Sequence, residues 1–410
     1  MKKLVILGGG TAGTMMAAKL RERLDPWSWQ IQVVDRDNQH LYQPGLLFLP
    51  FGVYGHRHLF KPRSRFMPDG VELVLAEVDR VDPFQKKVLL AGGDSLPYDQ
   101  LILATGSRIV PEETPGLRGD GWGKDVFDFY TVEGAAGLRE RLAGFKGGRL
   151  VINLLDMPIK CPVAPLEFAY LADWFFHERG VRDDVEIVYA TSLDSAFTKP
   201  RSSEALGSLM TAKDIRIEPG IAVEEVDAKN RLLKSFDGRS VDYDLLVSIP
   251  LHRGSPLVAR SGLGNEADFV PTDKHTLRSV EWEDIWVLGD ATDLPSSKAG
   301  SVAHFQAEVL TENLAAAVAG LEPPASFDGH ANCFIETGFG KAILIDFNYD
   351  TEPLPGRFPL PGAGPFTLLE ESEANHWGKM AFRWAYWNLL LKGADMSSIG
   401  PSMSPAGKWS

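Results

Sequence analysis

Three sets of residues in this 410-residue chain have types and spacings that can do chemistry. The first is Gly8-Gly9-Gly10-Thr11-Ala12-Gly13, a G-x-G-x-x-G spacing. In such a turn Gly8 permits the tight bend, Gly10 lets backbone approach a pyrophosphate, and Gly13 lets helix and strand pack closely. Asp35 follows at the end of the next apolar run, placed to accept hydrogen bonds from ribose hydroxyls. The second set is two strand ends, Thr105-Gly106 and Gly289-Asp290, where small residues let backbone pass close to a nucleotide and Asp290 accepts from a ribityl hydroxyl. Lys298 opens a long helix, and its ammonium together with the helix's positive end would stabilise an anionic ring. The third set is Cys161 and Cys333, the only cysteines. Their separation suits neither a zinc site nor a disulfide scaffold, so the residues alone read as two buried spectator thiols.

The elements that must position these groups are legible in outline. Lys3 to Leu7 is an apolar strand leading into the glycine turn, a helical pattern runs through Met16, Leu20 and Leu24, and Ile31 to Val34 is a second strand ending on Asp35. That strand, turn, helix, strand, acid order is what gives the glycine spacing its meaning. Arg57, Lys61, Arg63 and Arg65 read as a solvated basic face. Val71 to Val78 and Lys87 to Leu90 alternate as strands. Pro111 to Gly123 is a linker, Gly134 to Phe145 a helix and Arg149 to Leu154 a strand.

After Leu154 a second nucleotide site would need a second glycine turn. Leu155 to Pro162 contains no glycine, and side chains there would hold a pyrophosphate away from the backbone. The βαβ rhythm nevertheless continues through a Pro165 to Glu178 helix and a Val185 to Ala190 strand. A polar, loop-rich segment then leads to the Val241 to Pro250 run. Lys341 to Tyr349 is β-rich, and Asn375 to Lys392 combines Trp377, Trp384 and Trp387 with Lys379, Arg383 and Lys392. Such a helix suits either a lipid headgroup layer or docking against a core.

A net charge of −13 and a pI near 5.2 argue against nucleic acid as a partner. No cleavable signal is expected, and no run reaches the roughly 18 apolar residues of a spanning helix.

With Gly8, Gly10, Gly13, Asp35, Thr105-Gly106 and Gly289-Asp290 in this order, the chain resembles the flavoproteins with two dinucleotide-binding domains that hold FAD. The missing second fingerprint, Cys161, Lys298-Ala299-Gly300, Cys333 and the aromatic C-terminus narrow the likeness to sulfide:quinone oxidoreductases, related to the flavin subunit of flavocytochrome c sulfide dehydrogenase. The resemblance implies an α/β fold with two Rossmann-like domains of the FAD-dependent disulfide-reductase type. A C-terminal α+β region with an aromatic amphipathic helix completes it. The expected boundaries are 1–112 and 271–322 for a discontinuous FAD domain, 113–270 for a Rossmann-like domain without a nicotinamide fingerprint, and 323–410 for a quinone and membrane region.

The same resemblance makes Cys161 and Cys333 a redox disulfide that sulfide or a persulfide attacks, with electrons passing through FAD to a quinone and no metal involved. It sets Phe334 against the quinone ring and makes Glu167 a candidate proton acceptor, where a helix-surface carboxylate is the plainer reading. A third cysteine and a histidine of many bacterial members are replaced here by Tyr130 and Gly134. The expected protein is peripheral to a membrane, and a homo-oligomeric state is left open. Three other readings share these residues. They are the flavin subunit of a sulfide dehydrogenase that reduces a cytochrome, a type II NADH:quinone oxidoreductase, and a flavin- and persulfide-binding sensor that does not turn over.

Overall fold

The computed structural model describes residues 1–360, 364–395 and 399–409. Its first sheet is all parallel, in the order Ile285–Val287, Gln100–Leu103, Lys2–Leu7, Trp29–Asp35, Val71–Leu75. The outer strand therefore comes from far along the chain. Lys2–Leu7 is buried from Leu4 onward, as a strand covered on both faces must be. The Thr11–Arg23 helix packs on this sheet and against the Gly300–Val318 helix.

A second parallel sheet runs Val126–Phe127, Leu245–Ile249, Gly148–Leu154, Val185–Thr191, Ile215–Glu218. The Ala164–Glu178 helix covers it, burying Leu166, Phe168, Tyr170 and Phe176. A short antiparallel pair, Ser107–Ile109 with His252–Gly254, ties the chain leaving the first sheet to the chain leaving the second. The segment read as loop-rich before Val241 differs from expectation. It holds the Pro200–Ala212 helix and a small antiparallel sheet of Val223–Asp227, Leu232–Ser235 and Ser240–Asp242. The helix buries Ser202, Ser203, Leu206 and Met210, so serines take positions where the apolar period would otherwise show.

A third sheet is built on the hairpin Ala331–Gly338 and Lys341–Phe347. The Glu373–Asn388 helix lies across it, and Ser372 caps that helix by accepting from the Asn375 N–H. The helix docks one face against the core and leaves the other open to solvent. Tyr386 and Trp387 are buried against the first part of the chain, whereas Trp377 and Trp384 are 67% and 61% exposed.

Candidate active site

The glycine turn is shaped by contact. Gly8 has φ +95°, and a Cβ there would lie 2.4 Å from the Ala104 carbonyl oxygen. A Cβ on Gly13 would lie 1.8 Å from the Gly8 oxygen, so only glycine lets helix and strand meet. A Cβ on Gly10 would meet nothing within 4 Å. That open side lies at the start of the Thr11–Arg23 helix, whose N-cap is Gly10 itself and brings no side chain to occupy the end donors.

Thr105-Gly106 and Gly289-Asp290 follow the Gln100–Leu103 and Ile285–Val287 strands, so they lie at the same edge of the sheet as Gly8. Gly106 and Gly289 have φ of +68° and +70°. The buried Thr105 hydroxyl has no partner among the described residues. Ala12 closes against Gly289, where an added Cβ would come within 3.2 Å.

Asp35 accepts the Gly9 N–H at 2.8 Å and pairs with Arg63 at 2.8 Å. Arg63 also donates to the Asp37 and Gln39 carbonyls and is only 5% exposed. The expectation of a solvated basic face thus fails at Arg63, because its fork fits the acids and carbonyls beside the glycine turn. Thr11 is also engaged, its hydroxyl 2.7 Å from the Tyr386 hydroxyl, which lies 2.6 Å from His40 Nε2.

Lys298 is placed differently from the expected ring-facing role. Its ammonium donates to the Asp290 and Thr292 carbonyls at 3.0 and 2.6 Å and lies over the Phe269 ring. Burial lowers its pKa to about 8, against the pull of Asp290 and Asp293. A buried ammonium must satisfy its donors, and the carbonyls of this turn do so. Lys160, which the sequence did not single out, donates to the Ser107 carbonyl at 3.3 Å and feels both Asp290 and Asp128.

In place of a second glycine turn, the chain after Leu154 delivers Cys161. Its φ is +48°, an uncommon conformation for a residue with a Cβ. The Cys161 N–H donates to the Lys298 carbonyl at 2.7 Å, and its own carbonyl accepts from Ala164 at 2.8 Å as the next helix opens. Cys333 comes from the Ala331–Gly338 strand. Both are free thiols in this structure. The fold brings them into one neighbourhood, since Cys333, Glu167 and Lys379 all bear on Cys161. Each cysteine is half-buried, and burial dominates the ionisation of both. Burial raises the Cys161 thiol strongly and pushes Cys333 up to about 12, so both hold their protons unless an acceptor is at hand.

Glu167 is that neighbouring carboxylate, and it is fully buried rather than on a helix surface. One oxygen accepts the Glu336 N–H and the Lys379 ammonium, each at 2.7 Å. The other has no partner among the described residues. Burial raises its pKa, while Lys379 pulls it back. Lys379 also donates to the Phe334 carbonyl at 2.7 Å. Burial works against its charge, but the Glu167 carboxylate, through its charge and hydrogen bond, more than offsets this and raises its pKa. Lys379 had been grouped with the headgroup-facing bases, whereas its side chain is turned inward. Only the partner on another element distinguishes it from Arg383.

Phe334 packs edge-on against Phe366, and a Cβ on Gly378 would lie 2.8 Å from each ring. Tyr130 stands beside Cys161, stacked on Phe129, with its buried hydroxyl unpartnered among the described residues. Gly134 lies in the first turn of the Val132–Gly144 helix, where a Cβ would strike Asp128.

Residues 2–152 match the pyridine nucleotide-disulphide oxidoreductase family. The chain is 28% identical to the mitochondrial sulfide:quinone oxidoreductase of Dictyostelium discoideum, across 95% of this chain and 86% of that protein. It is 25% identical to the mouse mitochondrial enzyme with the same coverage. The solved sulfide:quinone oxidoreductase of Aquifex aeolicus superposes with a TM-score of 0.80 at 19% identity, covering 96% of this chain and 92% of that one. Over nearly its whole length, the chain is similar to the sulfide:quinone oxidoreductases, and it shares the fold of the Aquifex aeolicus one.

Proposed function

We propose that this protein oxidises sulfide or a persulfide at Cys161 and Cys333 and delivers the electrons, through FAD, to a membrane quinone. The observation that carries the reading is the delivery of Cys161, by the turn where a nicotinamide site would need glycines, into the neighbourhood of Cys333, Glu167 and Lys379. FAD fits the first sheet's edge. The open side of Gly10 would leave the pyrophosphate room at the helix start, Gly8 and Gly13 let turn and helix pack closely enough to form it, Gly289-Asp290 would offer a close approach and an acceptor, and the Thr105 hydroxyl has a hydrogen bond to give. When bound, the flavin supplies the two-electron link between sulfur and quinone.

The chain's own residues handle sulfur and protons. Hydrosulfide attacks the Cys161–Cys333 disulfide and breaks its S–S bond, leaving a persulfide on one cysteine and a thiolate on the other. Lys379 stabilises the thiolate's negative charge. Glu167, with one oxygen free, takes the proton released as the sulfur is oxidised. Re-forming the disulfide releases two electrons and the sulfane sulfur, which an acceptor carries away. Phe334 and Phe366 offer aromatic faces for a quinone ring near the Lys379 ammonium.

Among the described residues no helix is long and apolar enough to cross a membrane. Contact with a bilayer is assigned to the exposed Trp377 and Trp384 of the C-terminal helix, together with a basic cluster of Lys61, Arg65, Arg383 and Lys392.

Anaerobic titration of the FAD-loaded protein tests the reading. Sulfide should bleach the flavin and NADH should not. Cys161→Ser and Cys333→Ser should each slow bleaching by about a hundredfold or more while FAD stays bound. Normal reduction in both variants, or rapid bleaching by NADH, would overturn the assignment.

A further inference from the structure

Glu336 lies three residues beyond Cys333 on the same strand and has no part in the sulfur chemistry above. Its backbone N–H supports Glu167, but its carboxyl points elsewhere. One carboxyl oxygen lies 2.7 Å from His376 Nδ1, and the other is buried without a partner among the described residues. The Glu336 side chain is 3% exposed and that of His376 21%, so the pair runs from interior to surface. The adjacent Trp377 is 67% exposed. Lys379, three residues along the same helix, holds the Phe334 carbonyl. The groups that face the Glu336 carboxyl are His376 and Lys379 on the C-terminal helix, Glu167 on the Ala164–Glu178 helix, and the more distant Tyr54.

The reaction needs such a route. Sulfide enters largely as HS⁻, and a quinone Q leaves as QH₂: HS⁻ + Q + H⁺ → S⁰ + QH₂, with S⁰ passed to the sulfur acceptor. Two electrons go from sulfur to quinone. Sulfide's own proton supplies one quinol O–H, and the second must come from solvent in every turnover. We propose that His376 and Glu336 are the route by which that solvent proton reaches the quinone beside Phe334, an inference that rests on the sulfide:quinone reading.

Glu336 keeps one buried carboxyl oxygen without a protein partner among the described residues, an atom on which a proton can sit while the other oxygen holds His376. Burial, against the pull of His376 and Lys379, raises its pKa to about 7, where it can both take and give a proton at neutral pH.

Stopped-flow measurements on FAD-loaded Glu336→Gln and His376→Ala separate the limbs of the reaction. Flavin reduction by sulfide should stay within about twofold of wild type. Reoxidation by decylubiquinone, which takes electrons and protons, should slow by about tenfold to a hundredfold. Reoxidation by ferricyanide, which takes electrons alone, should not change. Added imidazole should restore the quinone limb in His376→Ala. Wild-type quinone rates in both variants from pH 6 to 8, an equal loss with ferricyanide, or failure of imidazole rescue would each overturn the route. Absence of sulfide bleaching in the wild-type protein would overturn the sulfide:quinone reading itself, and the route with it.

Discussion

At the scale of single residues, Glu167 and Lys379 set the electrostatics of the site. A fully buried carboxylate is tolerated here because an ammonium 2.7 Å away and a backbone N–H share one of its oxygens. Removing one partner of such a pair costs far more than the pair contributes, since the other charge stays buried and alone. Lys379→Met should therefore lower holoprotein stability by about 3 to 5 kcal/mol unless Glu167 takes up a proton. Glu167→Gln with Lys379→Met should recover most of that loss. Denaturant midpoints for the two single variants and the double variant close the cycle, and an equally unstable double variant would show that packing, not charge, dominates. The pairing itself was not legible in the sequence. Glu167 and Lys379 are 212 positions apart, and only the crossing of two helices over the Ala331–Gly338 strand joins them. Arg63 was hidden for a related reason, as it sits among other bases and its inward turn depends on Asp35 and two distant carbonyls.

At the scale of elements, local signals were read well where one short stretch carried all the geometry. The glycine turn, the strands flanking it and the Gly300–Val318 helix are of this kind, because glycine positions and apolar runs are properties of contiguous chain. The Pro200–Ala212 helix escaped because its buried face is half serine. The C-terminal helix was ambiguous because its two faces face different surroundings, one of them the glycine turn. Tyr386 ties that helix to Thr11 and His40 through one hydroxyl, linking the two ends of the chain. Tyr386→Phe leaves both partners short of a hydrogen bond in a buried aromatic cluster, a loss of about 1 to 3 kcal/mol. If the glycine turn depends on this tie, FAD should bind about tenfold more weakly, as measured by fluorescence on titrating the deflavinated protein. Unchanged FAD affinity would limit the tie to helix docking.

At the scale of the whole molecule, a net charge of −13 repels an anionic bilayer from most directions. On the proposed peripheral role, approach would be favoured in the orientation that presents the basic cluster of Lys61, Arg65, Arg383 and Lys392 together with the exposed Trp377 and Trp384 of the C-terminal helix. Lys61 illustrates the crowding: burial first, then Arg65, Arg383 and Lys392, lower its pKa, so an anionic headgroup would relieve like-charge repulsion there. The two contributions differ in their response to salt. Attraction by the basic cluster decays within a Debye length of about 8 Å at physiological ionic strength and weakens further as salt rises, whereas burial of indole rings in the interface does not. Co-sedimentation with vesicles of mixed phosphatidylcholine and phosphatidylserine should therefore fall only partly in 0.5 M salt (roughly 4 Å screening). Trp377→Ala with Trp384→Ala should lose the salt-resistant part, and binding to pure phosphatidylcholine should depend on those two residues alone. Reduction of a soluble quinone analogue should persist in the double variant, because both indoles are largely exposed whereas Glu167 is fully buried. If vesicle binding survives in the double variant at high salt, the docking surface lies elsewhere on the molecule.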